Sequence, residues 1–107
     1  MKIIKTKTYL KDLQKKIKNK HKKKEETIEA IEELMIQSKN MKELMLNPLA
    51  IVYNIEKKQG NLKEIYTARI NQKLRMYIKP KGEYPYKLEE IIELELKEID
   101  DKHYGEG

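Results

Sequence analysis

The spacing of apolar residues changes most sharply at Asn47-Pro48, and that change limits the fold class more than any other feature. Before residue 47 the apolar positions recur at intervals of three and four: Tyr9, Leu10, Leu13 and Ile17, then Ile28, Ile31, Leu34 and Met35. That is the stripe of an amphipathic helix. After Asn47-Pro48 the apolar runs are short and rich in β-branched and aromatic residues, as in Ile65–Ile70 (IYTARI) and Leu74–Ile78 (LRMYI). Such runs are strand formers. A chain of 107 residues with a helical first half and a strand-rich second half reads as one α+β domain, residues 1–107.

Boundaries follow from local chemistry. Residues 2–7 (KIIKTK) are short, charged and partly β-branched, which suits an edge strand. Lys15 to Lys24 is lysine-dense, broken only by Ile17, Asn19 and His21, and Glu25, Glu26 and Glu29 follow, where a helix start favours carboxylates. The helical half is therefore a two-helix hairpin or one bent helix, with no Gly or Pro to decide between them. Asn47-Pro48 should close it, because the residue before proline is pushed out of the α region. Gly60-Asn61 punctuates the next stretch, Asn71-Gln72-Lys73 reads as a hairpin turn, and Pro80 to Pro85 reads as a loop. Residues 88–99 admit two readings. Ile92, Leu94 and Leu96 alternate as in a strand, whereas Leu88, Ile91, Ile92, Leu96 and Ile99 fit a helix.

Composition bounds the function. The hydrophobic fraction is 38% without any Phe or Trp, so Leu, Ile, Met and the seven Tyr must build the core. Lys and Arg outnumber Asp and Glu by 24 to 18, a formal net charge of +6, which favours a polyanionic partner, either nucleic acid or an acidic protein segment. The absence of cysteine excludes disulfides and thiolate metal sites. No apolar run is long enough for a membrane span, and the opening MKIIKTKTYL lacks the apolar core of a signal peptide. A cytoplasmic location is the expectation.

Three places can carry chemistry. If Ile70 pairs with Lys73 across a two-residue turn, Tyr66, Arg75 and Tyr77 share one face of the hairpin, while Thr67, Leu74, Met76 and Ile78 share the other. An arginine between tyrosines makes a platform for phosphate and unpaired bases. The plainer alternative is a strand face on which tyrosines cover apolar surface. The second place is the C-terminal run Asp100-Asp101-Lys102-His103-Tyr104. Imidazole titrates near neutral pH, at about 6.5 when unperturbed, which suits proton transfer, although a terminal histidine is more often simply solvated. His21, inside the lysine run, reads as surface. The third is Glu56-Lys57-Lys58, a carboxylate beside two cations, suited to accept a proton or equally to be an ordinary charged loop.

Taken together, these features resemble the RelE/ParE superfamily of toxin components. Glu56-Lys57-Lys58-Gln59-Gly60-Asn61, Tyr66-Thr67-Ala68-Arg69-Ile70-Asn71 and Leu74-Arg75-Met76-Tyr77 are similar to the E-K-x-x-G-N loop, the Y-S-x-R-I-N segment and the aromatic-R-I-x-F strand of HigB-type members. His103-Tyr104 looks like the terminal His-Tyr of YoeB-type members. The likeness covers roughly residues 47–104 well and the helical half only in kind. It implies two N-terminal helices packed on a four-stranded, mostly antiparallel sheet, with the helical half a hairpin and residues 90–98 the last strand, which brings His103 and Tyr104 to the sheet face.

The resemblance also implies an activity: metal-independent endoribonuclease cleavage of mRNA, often on the ribosome, by attack of a ribose 2′-OH on the adjacent phosphate, with no cofactor. Glu56 would take the 2′-OH proton, Arg75 would stabilise the pentavalent transition state, and His103 would protonate the leaving oxygen. Tyr104 would stack on a base, and Lys57, Lys58, Tyr66, Arg69 and Tyr77 would contact RNA. A cognate antitoxin forming a hetero-oligomer with the chain is the implied protein partner, beside mRNA and the ribosome. Some residues depart from the pattern. Tyr66 and Ala68 stand where RelE itself has lysines, and Lys102 precedes His103 where HigB-type members have Asp-Tyr. Two other readings stay open: a non-enzymatic toxin that inhibits DNA gyrase, as in the ParE branch, and a plain basic nucleic-acid-binding module.

Overall fold

The computed structural model describes residues 1–17 and 22–101. Five strands form one mixed sheet, β1 (Lys2–Lys5), β2 (Glu56–Lys57), β3 (Tyr66–Arg69), β4 (Arg75–Pro80) and β5 (Glu93–Asp100), in the order β1-β5-β4-β3-β2. β1 runs parallel to β5, and every other pairing is antiparallel. The helices are α1 (Lys7–Asp12), which continues into a wider π turn at Leu13–Ile17, α2 (Lys22–Gln37), α3 (Met41–Leu46) and α4 (Pro48–Val52). The α+β architecture is as expected. The sheet has five strands rather than four because the two residues Glu56–Lys57, read as a loop, pair with Thr67 and Tyr66.

A second correction concerns Asn47-Pro48. The pair does not close the helical half; it starts a helix. Asn47 is extended, its side-chain oxygen accepts from the Leu49 N–H at 2.9 Å, and Pro48 occupies the first turn, where a missing N–H costs nothing. α4 then stops at Asn54, whose φ of 50° is left-handed, and the Ile55 N–H closes back onto the Ala50 carbonyl at 2.8 Å. Glu56 follows at once, so this helix end aims the chain into the sheet.

One face of the sheet carries the core. Ala68, Met76, Ile78, Leu94, Leu96 and Ile99 are buried there with Tyr66, under Tyr9 and Ile17 of the first helical segment and Ile28, Ile31 and Met35 of α2. Burial of this kind is worth about 1.5–3 kcal/mol per large aliphatic side chain relative to exposure. With no Phe or Trp, methionine fills the gaps: Met35, Met41 and Met76 are completely buried. Tyr9 is also completely buried, and its hydroxyl donates to Glu32 Oε2 at 2.7 Å, while Lys5 Nζ stands 3.1 Å from Glu32 Oε1. Burial, then the hydrogen bond to Glu32 and its charge, push the Tyr9 phenol far above its usual range.

The strand at 93–100 decides between the two readings of residues 88–99. A bulge at Lys97, where Tyr77 pairs with Glu98 but Ile78 with Leu96, shifts the alternation by one. Leu94, Leu96 and Ile99 thereby all reach the core face, so the three-residue step from Leu96 to Ile99 is a bulged strand, not a helical turn. Beyond the reach of β1, β5 is bonded by side chains from the first helical segment. Thr6 Oγ1 donates to the Lys97 carbonyl at 2.7 Å, Asp12 Oδ2 accepts from the Ile99 N–H at 2.9 Å, and Lys16 Nζ donates to the Ile99 carbonyl at 2.8 Å. No helix among the described residues is long and apolar enough to cross a membrane.

Candidate active site

Strand register fixes which side chains share the second face of the sheet. Glu56 lies opposite Thr67, Thr67 opposite Tyr77, and Tyr77 opposite Glu98, so these four form a row across β2, β3, β4 and β5. The next row on the same face is Arg69, Arg75 and Asp100. Two strand spacings of about 4.8 Å and one two-residue step of about 6.7 Å put the Glu56 and Arg75 Cα atoms roughly 12 Å apart. Side chains of that length can reach one small group lying between them.

This register is one residue away from the one expected. Asn71 does not sit in a two-residue turn. Its Oδ1 accepts from the Lys73 and Leu74 N–H groups at 2.8 and 2.7 Å, and the Ile70 N–H bonds to the Leu74 carbonyl, making a loop that pairs Arg69 with Arg75. A one-residue slip exchanges the faces of a strand. Tyr66 therefore leaves the proposed platform and enters the core, facing Ile78, while Thr67 replaces it beside Arg75 and Tyr77. Burial pushes the Tyr66 phenol above its ordinary range. Lys57 pairs with Tyr66, so it projects on the opposite side of β2 from Glu56. Lys58 is buried, at 7% exposure, rather than offered to solvent. His103, Tyr104 and His21 lie outside the described residues.

What the fold brings together is Glu56, Arg69, Arg75 and Tyr77, with Thr67 and Asp100 added. Glu56 and Arg69 are exposed, but Thr67, Arg75 and Tyr77 are buried even though they face away from the helices. The middle of the charged face is thus recessed relative to its flank. Arg75 is held from below: its Nη1 donates to the Asn71 carbonyl at 2.9 Å and to the Gln72 and Leu74 carbonyls at 3.3 Å each. Nη1 is engaged by the loop, and a guanidinium fork held along one edge is shaped to meet an anion with the other.

The electrostatics favour such an anion. Arg69 and Arg75 face each other directly across two strands, a like-charge pair that is unfavourable without a counter-charge. Asp100 supplies part of that charge from the far side of Arg75. Burial raises the Asp100 carboxyl, but hydrogen bonds from Asp101 and the Lys16 ammonium at 3.9 Å outweigh it and hold the group below its ordinary value. Arg69 is itself fixed through its backbone N–H, which donates to the Tyr53 carbonyl at 2.6 Å and ties β3 to the helix end that aims Glu56. Sequence reasoning put Thr67 on the opposite face and gave Asp100, in the C-terminal run, no role of its own, since the register that joins both to Arg75 is not visible in their spacing.

Neither a family model nor a curated protein matches the sequence. Solved structures do match. A YoeB/ParE toxin from Agrobacterium tumefaciens superposes over 96% of this chain and 100% of its own, with a TM-score of 0.66 and 16% identity. YafQ from E. coli matches over 94% of this chain and 91% of its own, with a TM-score of 0.62 and 16% identity. The E. coli DinJ-YafQ complex gives a TM-score of 0.63 at 15% identity, covering 92% of this chain and 90% of the matched one. The fold is therefore that of the RelE/YoeB-type toxins, as the sequence resemblance implies.

Proposed function

We propose that this chain is the toxin of a toxin–antitoxin pair and acts as an endoribonuclease on mRNA. The observation that carries the reading is the shared sheet face: a carboxylate, Glu56, and two facing guanidiniums, Arg69 and Arg75, from three different strands. The likeness to solved toxins over more than nine-tenths of the chain supports it.

In this reading Glu56 accepts the proton of a ribose 2′-OH. The oxygen so freed attacks the adjacent phosphorus, the P–O5′ bond breaks, and the products are a 2′,3′-cyclic phosphate and a 5′-hydroxyl. Negative charge builds on the equatorial oxygens in the pentavalent transition state, where Arg75 and Arg69 stabilise it more than they stabilise the ground state. The three carbonyls on Arg75 Nη1 keep that guanidinium in place before substrate arrives, so little reorganisation remains for the reaction itself. The leaving 5′-oxygen takes a proton from His103, with Tyr104 stacking on a neighbouring base. Tyr77 and Thr67 line the floor between base and guanidinium. The cognate antitoxin would cover this face, as a partner whose acidic or amphipathic segment matches a surplus of six positive charges.

The test is to add the purified chain to a translation extract and map mRNA 5′ ends. Cleavage is expected, lost by about 10²-fold or more in Glu56→Gln and Arg75→Ala. Intact mRNA with the unaltered chain, or cleavage that persists in both variants, would refute the nuclease reading. One observation favours a second reading, a basic binding module without catalysis: the Arg75 contacts with its own loop are also what a purely structural arginine makes. RNA binding without any new 5′ ends would select it.

A further inference from the structure

Where the β3–β4 loop meets the helical elements lies a cleft of about 330 Å³, lined by Lys15 and Lys16 of the π turn, Lys24 of α2, Asn71, Lys73 and Leu74 of the loop, and Asp101. The π turn, α2 and the β3–β4 loop each contribute lysine, so the fold adds Lys73 to the two ends of the lysine run. Lys16 is already committed: it donates to the Ile99 carbonyl and lies 3.5 Å from Asp12 and 3.9 Å from Asp100. Among the described residues Lys15, Lys24 and Lys73 make no ion pair, and Asp101 is the one carboxylate that lines the cleft with them.

We propose that this cleft binds the sugar–phosphate backbone of a single-stranded nucleic acid, as a continuation of the Arg75 site. The inference rests on the reading above and extends it by giving the strand a direction, from Glu56 past Arg75 and round the β3–β4 loop. The continuity is physical. The loop that supplies Asn71, Lys73 and Leu74 to the cleft is the same loop whose carbonyls hold the Arg75 guanidinium. In this proposal a phosphate chain engaged at Arg75 passes round that loop to reach Lys73. Ammonium groups on flexible stems suit phosphates spaced along a strand, since they neutralise charge without reading sequence. Among the described lining residues cations outnumber carboxylates, which matches the unbroken charge of a phosphate chain.

The experiment measures binding of a fluorescein-labelled oligothymidylate of about ten nucleotides. It has no 2′-OH, so it cannot be cut, and its binding is scored independently of cleavage. Fluorescence anisotropy is followed from about 50 to 200 mM salt. The triple variant Lys15→Gln, Lys24→Gln, Lys73→Gln should bind at least tenfold more weakly. Its log–log salt dependence should be shallower by about 2, because each phosphate neutralised on a single strand adds about 0.7 to the slope. Asp101→Asn, which removes the opposing carboxylate, should bind about two- to fivefold more tightly. A gain of this kind cannot come from misfolding. Unchanged affinity and slope in the triple variant overturn the proposal, as does weaker binding by Asp101→Asn. So does the absence of oligothymidylate binding in a chain that instead captures polyglutamate through the same lysines. Normal oligothymidylate binding with no mRNA cleavage leaves the cleft in place and removes the nuclease reading alone.

Discussion

The two faces of one sheet are built from the same strands and behave as different materials. In β4, Met76 and Ile78 point into the core, while Arg75 and Tyr77, their immediate neighbours, point the other way, and all four are buried. On the core side Met76 and Ile78 are buried by packing against other apolar side chains. On the charged side burial depends on specific partners, such as three carbonyls for Arg75 and a backbone N–H and an ammonium for Asp100. The lesson is that the core face sets whether the chain folds, and the charged face sets what the folded chain can hold. Substitutions on the two faces should therefore differ in kind, and the contrast can be tested.

The largest effect is expected on the core face. Leu96→Ala, at a fully buried position, should lower stability by about 2–5 kcal/mol, read from denaturant unfolding. A smaller loss than that of any charged-face variant would break the contrast. Arg75→Ala leaves the loop carbonyls without their donor and should cost about 1–3 kcal/mol while abolishing RNA cleavage. Retained cleavage would show that its role is to hold the loop.

Asp100 comes next and is read through pH. Its carboxyl is held below its ordinary value of 3.8, so the stability it contributes is complete above that value and disappears as pH falls through the lower folded value. Asp100→Asn should lower the melting temperature at neutral pH and flatten the acid limb of the profile. An unaltered acid limb would mean that the Lys16 and Asp101 contacts carry no weight.

Tyr86 tests the same logic at the other end of the scale. Its hydroxyl donates to the Glu64 carbonyl at 2.7 Å, and burial, then Glu64 and the neighbouring tyrosines Tyr66 and Tyr84, push the phenol up to about 12. A raised value gives stability that is intact below the ordinary 10.0 and is lost as pH climbs toward 12. Tyr86→Phe should cost about 1 kcal/mol at neutral pH and remove that alkaline decline. The smallest structural effect belongs to Glu56→Gln, an exposed side chain whose melting temperature should stay with the parent's while RNA cleavage falls. A substantial drop in melting temperature would place Glu56 in the structure and weaken its role as base.

Periodicity reported the core face because hydrophobic spacing is its direct imprint. The stripe at Ile28, Ile31, Leu34 and Met35 is buried as its spacing requires. The charged face was legible only in part. Glu56 and Arg75 could be singled out as residue types, but their shared side depends on a register that is set by one asparagine. Asn71 bonds two backbone N–H groups in place of a tight turn, and that one-residue difference moved Tyr66 into the core and brought Thr67 out. The ambiguity at residues 88–99 had the same origin. A bulge at Lys97 changes the spacing of the core residues from two to three, which a window of sequence cannot tell from a helical step. Asn47-Pro48 misled because the signal for leaving one helix is also a signal for entering the next.

The way α1 stands in for a longer β1 bears on how the protein behaves in a crowd. Sheet margins recruit strands from other molecules when they present vacant backbone groups. Along β5 past Leu96, Thr6, Asp12 and Lys16 already occupy the Lys97 and Ile99 positions, and at the opposite margin β2 is only two residues long. The other outer strand, β1, is four residues long and carries a lysine at each end, so a foreign strand finds only short, charged margins and lateral polymerisation should be resisted.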